Sequence, residues 1–134
     1  MKLFVDTSVW SLALRRDAPS GVPEVGILSR ALNGDAEIYT TGMVLQELLQ
    51  GFSGPAARDA ILTKFGSLPL IVPETRDHVE AAALRNLCRR KGVQIGTIDA
   101  LIASLSIRFE LALLTTDKDF TNMSKHVQIT LASR

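Results

Sequence analysis

Five acidic residues of this chain stand where a carboxylate can do chemistry. Asp6 cuts off the apolar run Leu3-Phe4-Val5 in MKLFVDTSVW. Asp117 follows the run LALLTT, with Asp119 two residues on. Glu47 sits in TGMVLQELLQGF and Asp99 in TIDALIASLSIRF. Carboxylates bind hard cations or move protons, but each of these also has a plain structural use. Asp6 or Thr7 can cap the helix that follows. Asp99 suits a first helical turn, Glu47 a helix surface, and Asp117-Lys118-Asp119 a turn. What separates the two uses is whether the acids meet.

The elements that would position them alternate. Lys2–Val5 reads as a strand, followed by a helix from about Ser8 to Arg16 and the turn-rich link DAPSGVP. Pro23 opens a second helix that ends before Asn33-Gly34-Asp35. EIYT (Glu37–Thr40) is a second strand. A helix runs from Thr41 to about Gln50, with Val44, Leu45, Leu48 and Leu49 at helical spacing. Pro55 starts a helix that fades at Gly66, and Leu70–Val72 is a short strand. Thr75 begins a long helix closed by Gly92, and Thr97 caps the next. LALLTT (Leu111 to Thr116) and VQITL supply the last strands. This alternation predicts an α/β protein: a three-layer α/β/α arrangement around a central, mostly parallel sheet of four to five strands. The unbroken apolar run LALL agrees, since a parallel strand is covered on both faces.

In such sheets ligands bind beyond the carboxyl ends of the strands. Asp6 and Asp117 lie just past strands. Glu47 lies within about 9 Å of the start of a helix that leaves the same edge. The helix carrying Asp99 must begin at that edge in order to deliver the chain to LALLTT. Topology therefore predicts that Asp6, Glu47, Asp99 and Asp117 converge. Two carboxylates ~4 Å apart repel by roughly 4 kcal/mol at an effective dielectric of ~20. Such a group must take up protons or hold a cation, and oxygen ligands without nearby His or Cys favour Mg²⁺ or Mn²⁺ over zinc.

Composition narrows the class. The chain has 134 residues, 46% hydrophobic and 22% charged, with a net charge of +1, and reads as one domain, residues 1–134. No window approaches the ~20 apolar residues of a membrane span, and no signal peptide is visible. A lone cysteine, Cys88, excludes an internal disulfide and fits a reducing cytoplasm. The basic clusters Arg15-Arg16 and Arg85, Arg89, Arg90, Lys91 close predicted helices, where cations complement the helix dipole.

The stretches FVDTSVW, LQELLQGF, TIDALIA and LLTTDKDF, in that order, resemble the PIN-domain nucleases, and more closely the VapC-type toxins of bacterial toxin–antitoxin pairs. The resemblance implies a metal-dependent endoribonuclease using Mg²⁺, with Mn²⁺ as the alternative. It further implies a homodimer, a cognate antitoxin that silences the toxin, and a larger complex of the two. Carried over residue by residue, the catalytic and metal-binding acids fall on Asp6, Glu47, Asp99 and Asp117, with Asp119 a further candidate ligand. Thr7 and Thr116 take small hydroxyl positions beside them, where hydrogen bonds would orient the acids. One or two ions held by this set are expected to activate a water for in-line attack on RNA, leaving 5′-phosphate and 3′-hydroxyl ends. Arg15, Arg16, Arg85, Arg89, Arg90, Lys91 and Lys118 become candidates for contacts to the RNA backbone. The antitoxin is expected in a groove lined by the first helices, with Trp10 and Leu14 assigned to the core.

Other α/β enzymes fit less well. A haloacid-dehalogenase-like phosphatase needs an Asp where Ser8 stands. A receiver domain needs an acidic pair at Asp6 and a phosphoacceptor where Pro73 follows the third strand. The remaining alternative is a PIN-like module that binds RNA or protein without cutting. The complete acidic set argues against it.

Overall fold

A computed structural model describes residues 1–15 and 21–132. Five strands and seven helices form over these residues. They are β1 (Lys2–Val5), α1 (Thr7–Leu14), α2 (Pro23–Asn33), β2 (Glu37–Thr41), α3 (Gly42–Gly51) and α4 (Pro55–Phe65). Then come β3 (Leu70–Ile71), α5 (Thr75–Arg90), α6 (Thr97–Arg108), β4 (Ala112–Leu114), α7 (Lys118–Met123) and β5 (Thr130–Leu131). The strands make one sheet in the order β3-β2-β1-β4-β5. Every pairing is parallel, so the expected mostly parallel sheet is wholly so.

β1 is central, and its Leu3, Phe4 and Val5 are fully buried, as a strand covered on both faces requires. Its neighbours are β2 on one side and β4 on the other, which makes β1 the point where strand order reverses. A crevice therefore opens beyond the carboxyl ends of β1 and β4, the place where open α/β sheets bind ligands. The register Val5↔Leu114 sets Asp6 opposite Thr115, and the Asp6 N–H extends the ladder to the Leu114 carbonyl at 3.1 Å.

Helices α1 to α4 pack among themselves, and α5 packs along α6. From Ala100 to Ser106 every residue of α6 is buried. That stretch is rich in Ala and Ser, whose small side chains let neighbouring backbones approach. Its carboxyl end is tied to α5. The Arg108 guanidinium lies 2.8 Å from Glu74 and 3.3 Å from the buried Asp77. Asp77 in turn accepts the Glu74 N–H at 2.7 Å in a capping box. Fixing α6 in this way fixes Asp99 in its first turn.

Helix ends explain most differences from the sequence reading. The first helix stops at Leu14, with Arg15 extended beyond it; Arg16 and the first half of the DAPSGVP link lie outside the described residues. Thr41 ends β2 rather than opening α3, and its hydroxyl donates to the Ile71 carbonyl at 2.9 Å. Gly96, not Thr97, occupies the N-cap of α6. The LALLTT strand keeps only Ala112–Leu114, because the hydroxyl and backbone of the two threonines turn toward Asp6 and Ser8. Asp117-Lys118-Asp119, which also suits a turn, opens α7 instead, with Asp117 as its cap.

Two helices end in the same paired pattern. After α5, the Val93 N–H reaches the Cys88 carbonyl and the Gly92 N–H that of Arg89. After α6, Leu111 reaches Ser106 and Glu110 reaches Ile107. This motif needs a left-handed residue, supplied by Gly92 at φ 78° but by Glu110 at φ 55° in the second case. A side chain costs about 1 kcal/mol there. Glu110→Gly is expected to stabilise the protein by about that amount in urea denaturation; a loss of stability would mean that the Glu110 side chain makes a compensating contact.

Candidate metal centre

Asp6 and Asp117 reach the crevice by the same local device. Each ends a strand segment and caps the helix that follows. One oxygen of Asp6 accepts the Ser8 N–H at 3.0 Å, and one oxygen of Asp117 accepts the Asp119 N–H at 2.9 Å. At Asp117 capping and chemistry are therefore compatible, because the cap occupies one carboxylate oxygen and leaves the other.

The two acids then differ. Asp6 is 5% exposed, and both of its oxygens are taken. Oδ1 also accepts from the Ser8 hydroxyl, and Oδ2 accepts from Thr115 Oγ1 at 2.6 Å. Asp117 is half-buried, with Oδ2 left open among the described residues. One carboxylate oxygen each from Asp99, Asp117 and Asp119 lies within 4.8 Å of the others, and Asp6 stands outside this group. Glu47, reached from α3, accepts a hydrogen bond from Thr7 Oγ1 at 2.7 Å.

The electrostatics record the convergence of all five acids. The Asp99 carboxyl is pushed up from 3.8 to about 6, first by burial and then by the carboxylates of Asp117, Asp119, Asp6 and Glu47. Burial also raises Asp6, against the opposing pull of its hydrogen bonds from Ser8, Thr115 and the backbone. In the metal-free protein Asp99 therefore keeps a proton that the unfolded chain has already lost between pH 3.8 and about 6. Bound protons favour the folded state over that window, so stability falls as pH rises through it. Denaturant midpoints in EDTA are expected to drop across that range and level off above it. A rise instead would show that Asp99 is not crowded by its neighbours.

Three carboxylate oxygens gathered within 4.8 Å of one another fit a hard divalent cation and do not fit zinc, which prefers His and Cys.

The hydroxyls are arranged differently from the sequence reading. Thr7 serves Glu47. The hydroxyl beside Asp6 is that of Thr115, while the exposed Thr116 contributes its backbone N–H, to Ser8 Oγ at 3.0 Å. Ser8 and Thr115 were both missed. Ser8 was legible in principle, since a Ser two residues after an Asp commonly closes a local side-chain turn. Thr115 was not, because its placement follows from the β1–β4 register.

The predicted basic cluster divides. Arg85 and Arg89 border a small cleft with Val93, Gln94 and Ile95, whereas Arg90 lines a groove with Arg76 and Arg108. Lys91 and Lys118 are exposed. Trp10 is buried, its ring 4.9 Å from that of Phe65, and Leu14 packs against the core.

Residues 3–126 match the PIN domain family. The chain belongs to that family. It is 31% identical over 122 residues to ribonuclease VapC23 of Mycobacterium tuberculosis, an alignment covering 76% of this chain and 96% of that protein. Among solved structures, the PIN chain is similar to VapBC2 from Rickettsia felis bound to a promoter DNA fragment. There the TM-score is 0.76 and identity 24%, with 98% of each chain covered. It is also similar to VapBC-1 from nontypeable Haemophilus influenzae, at a TM-score of 0.75 and 17% identity over 99% of this chain and 98% of that one. These likenesses share the three-layer α/β/α fold. No helix of the described residues is long and apolar enough to cross a membrane.

Proposed function

We propose that this chain is a single PIN domain of VapC type, an endoribonuclease that hydrolyses RNA phosphodiester bonds with Mg²⁺, or with Mn²⁺ in its place. It works in the cytoplasm as the toxin of a toxin–antitoxin pair, as a homodimer, until a cognate antitoxin covers the groove beside its first helices. The observation that carries the reading is the convergence of Asp99, Asp117 and Asp119 on one point, with Asp6 and Glu47 close enough to raise Asp99. The ribonuclease name of its 31% identical relative supports the substrate class.

The residues divide the work. Asp99, Asp117 and Asp119 supply the oxygens for a divalent ion. When bound, that ion would lower the pKa of a water and stabilise charge on the phosphate. Asp6, pinned by Ser8 and Thr115, adds negative charge at a fixed place and sets the entry of α1. Glu47, braced by Thr7, closes the crevice from α3. Because no step uses the ribose 2′-hydroxyl, the products carry 5′-phosphate ends.

Purified protein free of antitoxin is expected to cut end-labelled total RNA into discrete fragments with Mg²⁺ or Mn²⁺. In EDTA the RNA stays intact. Fragments ending in cyclic phosphate would contradict the proposed water attack, and cleavage unaffected by EDTA would remove the metal from the account.

A further inference from the structure

A cavity of about 480 Å³ lies between α5 and α6, within the usual size for a small-ligand site. It adjoins the acids through the chain itself. Met43, on its wall, is one helical turn before Glu47, about 6 Å along the axis. Thr97 and Ile98, also on its wall, immediately precede Asp99. The larger cavity bordered by Arg76 and Arg108 has neither link. It lies at the far end of α6 from Asp99, and Asp77 and Glu80 offset its arginines.

The lining near the acids combines an apolar floor with three groups able to read a flat heterocycle. Met43, Ile98 and Leu101 supply the floor. His78 and Arg85 offer planar faces, and Asn86 carries both a donor and an acceptor on one amide. The Arg85 plane is fixed in advance, because its Nε donates to the Ile95 carbonyl at 2.9 Å on the loop that enters α6. Proteins that read single-stranded RNA use this combination. They stack a splayed base on His or Arg and hydrogen-bond its edge.

We propose that this cavity holds one nucleobase of the RNA beside the scissile phosphodiester, with Asn86 selecting the base and His78 and Arg85 stacking on it. The proposal rests on the ribonuclease reading above and makes this cavity its specificity site. Cationic Arg85 on its wall, with Arg89 one helical turn further along α5, suits the adjoining phosphate, and the chain links to Glu47 and Asp99 suit a base adjacent to the cut.

The test uses short end-labelled oligoribonucleotides of randomised sequence and four proteins: wild type, Ala82→Phe, Asn86→Ala and Asp99→Asn. Ala82 lies on the exposed wall of the cavity, so Phe fills it without disturbing the core. Filling the cavity is expected to lower kcat/KM by roughly tenfold or more, the scale of losing one stacked base. Asn86→Ala is expected to relax base preference at one position next to the cut. Mn²⁺ affinity, measured by calorimetry, stays unchanged in both. Unaltered rates and cleavage sites in both variants, with Asp99→Asn inactive, would overturn the proposal and leave the nuclease reading standing. Absence of metal-dependent cleavage by the wild type would overturn both. A change of oligomeric state in Ala82→Phe by sedimentation would give the cavity to a second copy of this chain and likewise overturn the proposal.

Discussion

Replacing Asp99 by Asn is expected to abolish RNA cleavage while making the metal-free protein more stable. The loss should be roughly a thousandfold or more, the scale for removing a group that supports charge in the transition state. Asp99 is the member of the cluster that feels all the others, and its carboxyl is pushed up to about 6 by burial and four neighbouring acids. Above that pH, folding holds its charge against them. An amide of the same shape removes the repulsion, and after solvent screening the gain should be about 1 kcal/mol at neutral pH in EDTA. Adding Mn²⁺ should reverse the ranking, because the wild type gains binding energy that the variant lacks: about 2.7 kcal/mol at a hundredfold excess over Kd. Opposite signs with and without metal distinguish a ligand from a residue that only supports the fold. If the variant is less stable in EDTA, or retains activity, Asp99 is structural.

Asp6 is expected to separate capping from chemistry. Asp6→Ala removes the cap of α1, worth about 1 kcal/mol, and leaves the Ser8 and Thr115 hydroxyls without their shared acceptor in a site 5% exposed. Relief of a desolvated charge offsets part of this, and a net loss of about 2 kcal/mol is expected. Asp6→Asn keeps an acceptor for the Ser8 N–H, and both hydroxyls can rotate to meet its amide. Its stability should stay within about 1 kcal/mol of wild type. Its cleavage rate should still fall by roughly a hundredfold, because the fixed negative charge beside Asp99 is gone. Urea denaturation and cleavage rates on the same preparations check both. An Asn variant as active as the wild type would reduce Asp6 to a helix cap.

The sequence carried the architecture because apolar periodicity and helix punctuation are local. Leu3-Phe4-Val5 announces a central strand, Pro23 and Pro55 open helices, and Gly92 closes one. The gathering of the acids was also legible, since it needs only strand direction and the edge at which each helix starts. What was not legible depends on registers and side-chain directions. Thr115 rather than Thr116 faces Asp6, and a shift of one residue along a strand reverses the face. Asp119 joins Asp99 and Asp117 because α7 places it in the first turn behind its Asp117 cap. That helix is only 6 residues long, too short for a periodic signal. The resemblance gives Asp119 only as a further candidate beside Asp6, Glu47, Asp99 and Asp117, because without α7 nothing in the sequence sets its direction.

Crystals of the protein grown with Mn²⁺, with anomalous diffraction recorded near the manganese edge, test the metal centre most directly. The account predicts an anomalous peak bridging the carboxylates of Asp99, Asp117 and Asp119, with Asp6 still bonded to Ser8 and Thr115. A map with no peak among those three carboxylates at saturating Mn²⁺, or with manganese bound elsewhere on the chain, would contradict it.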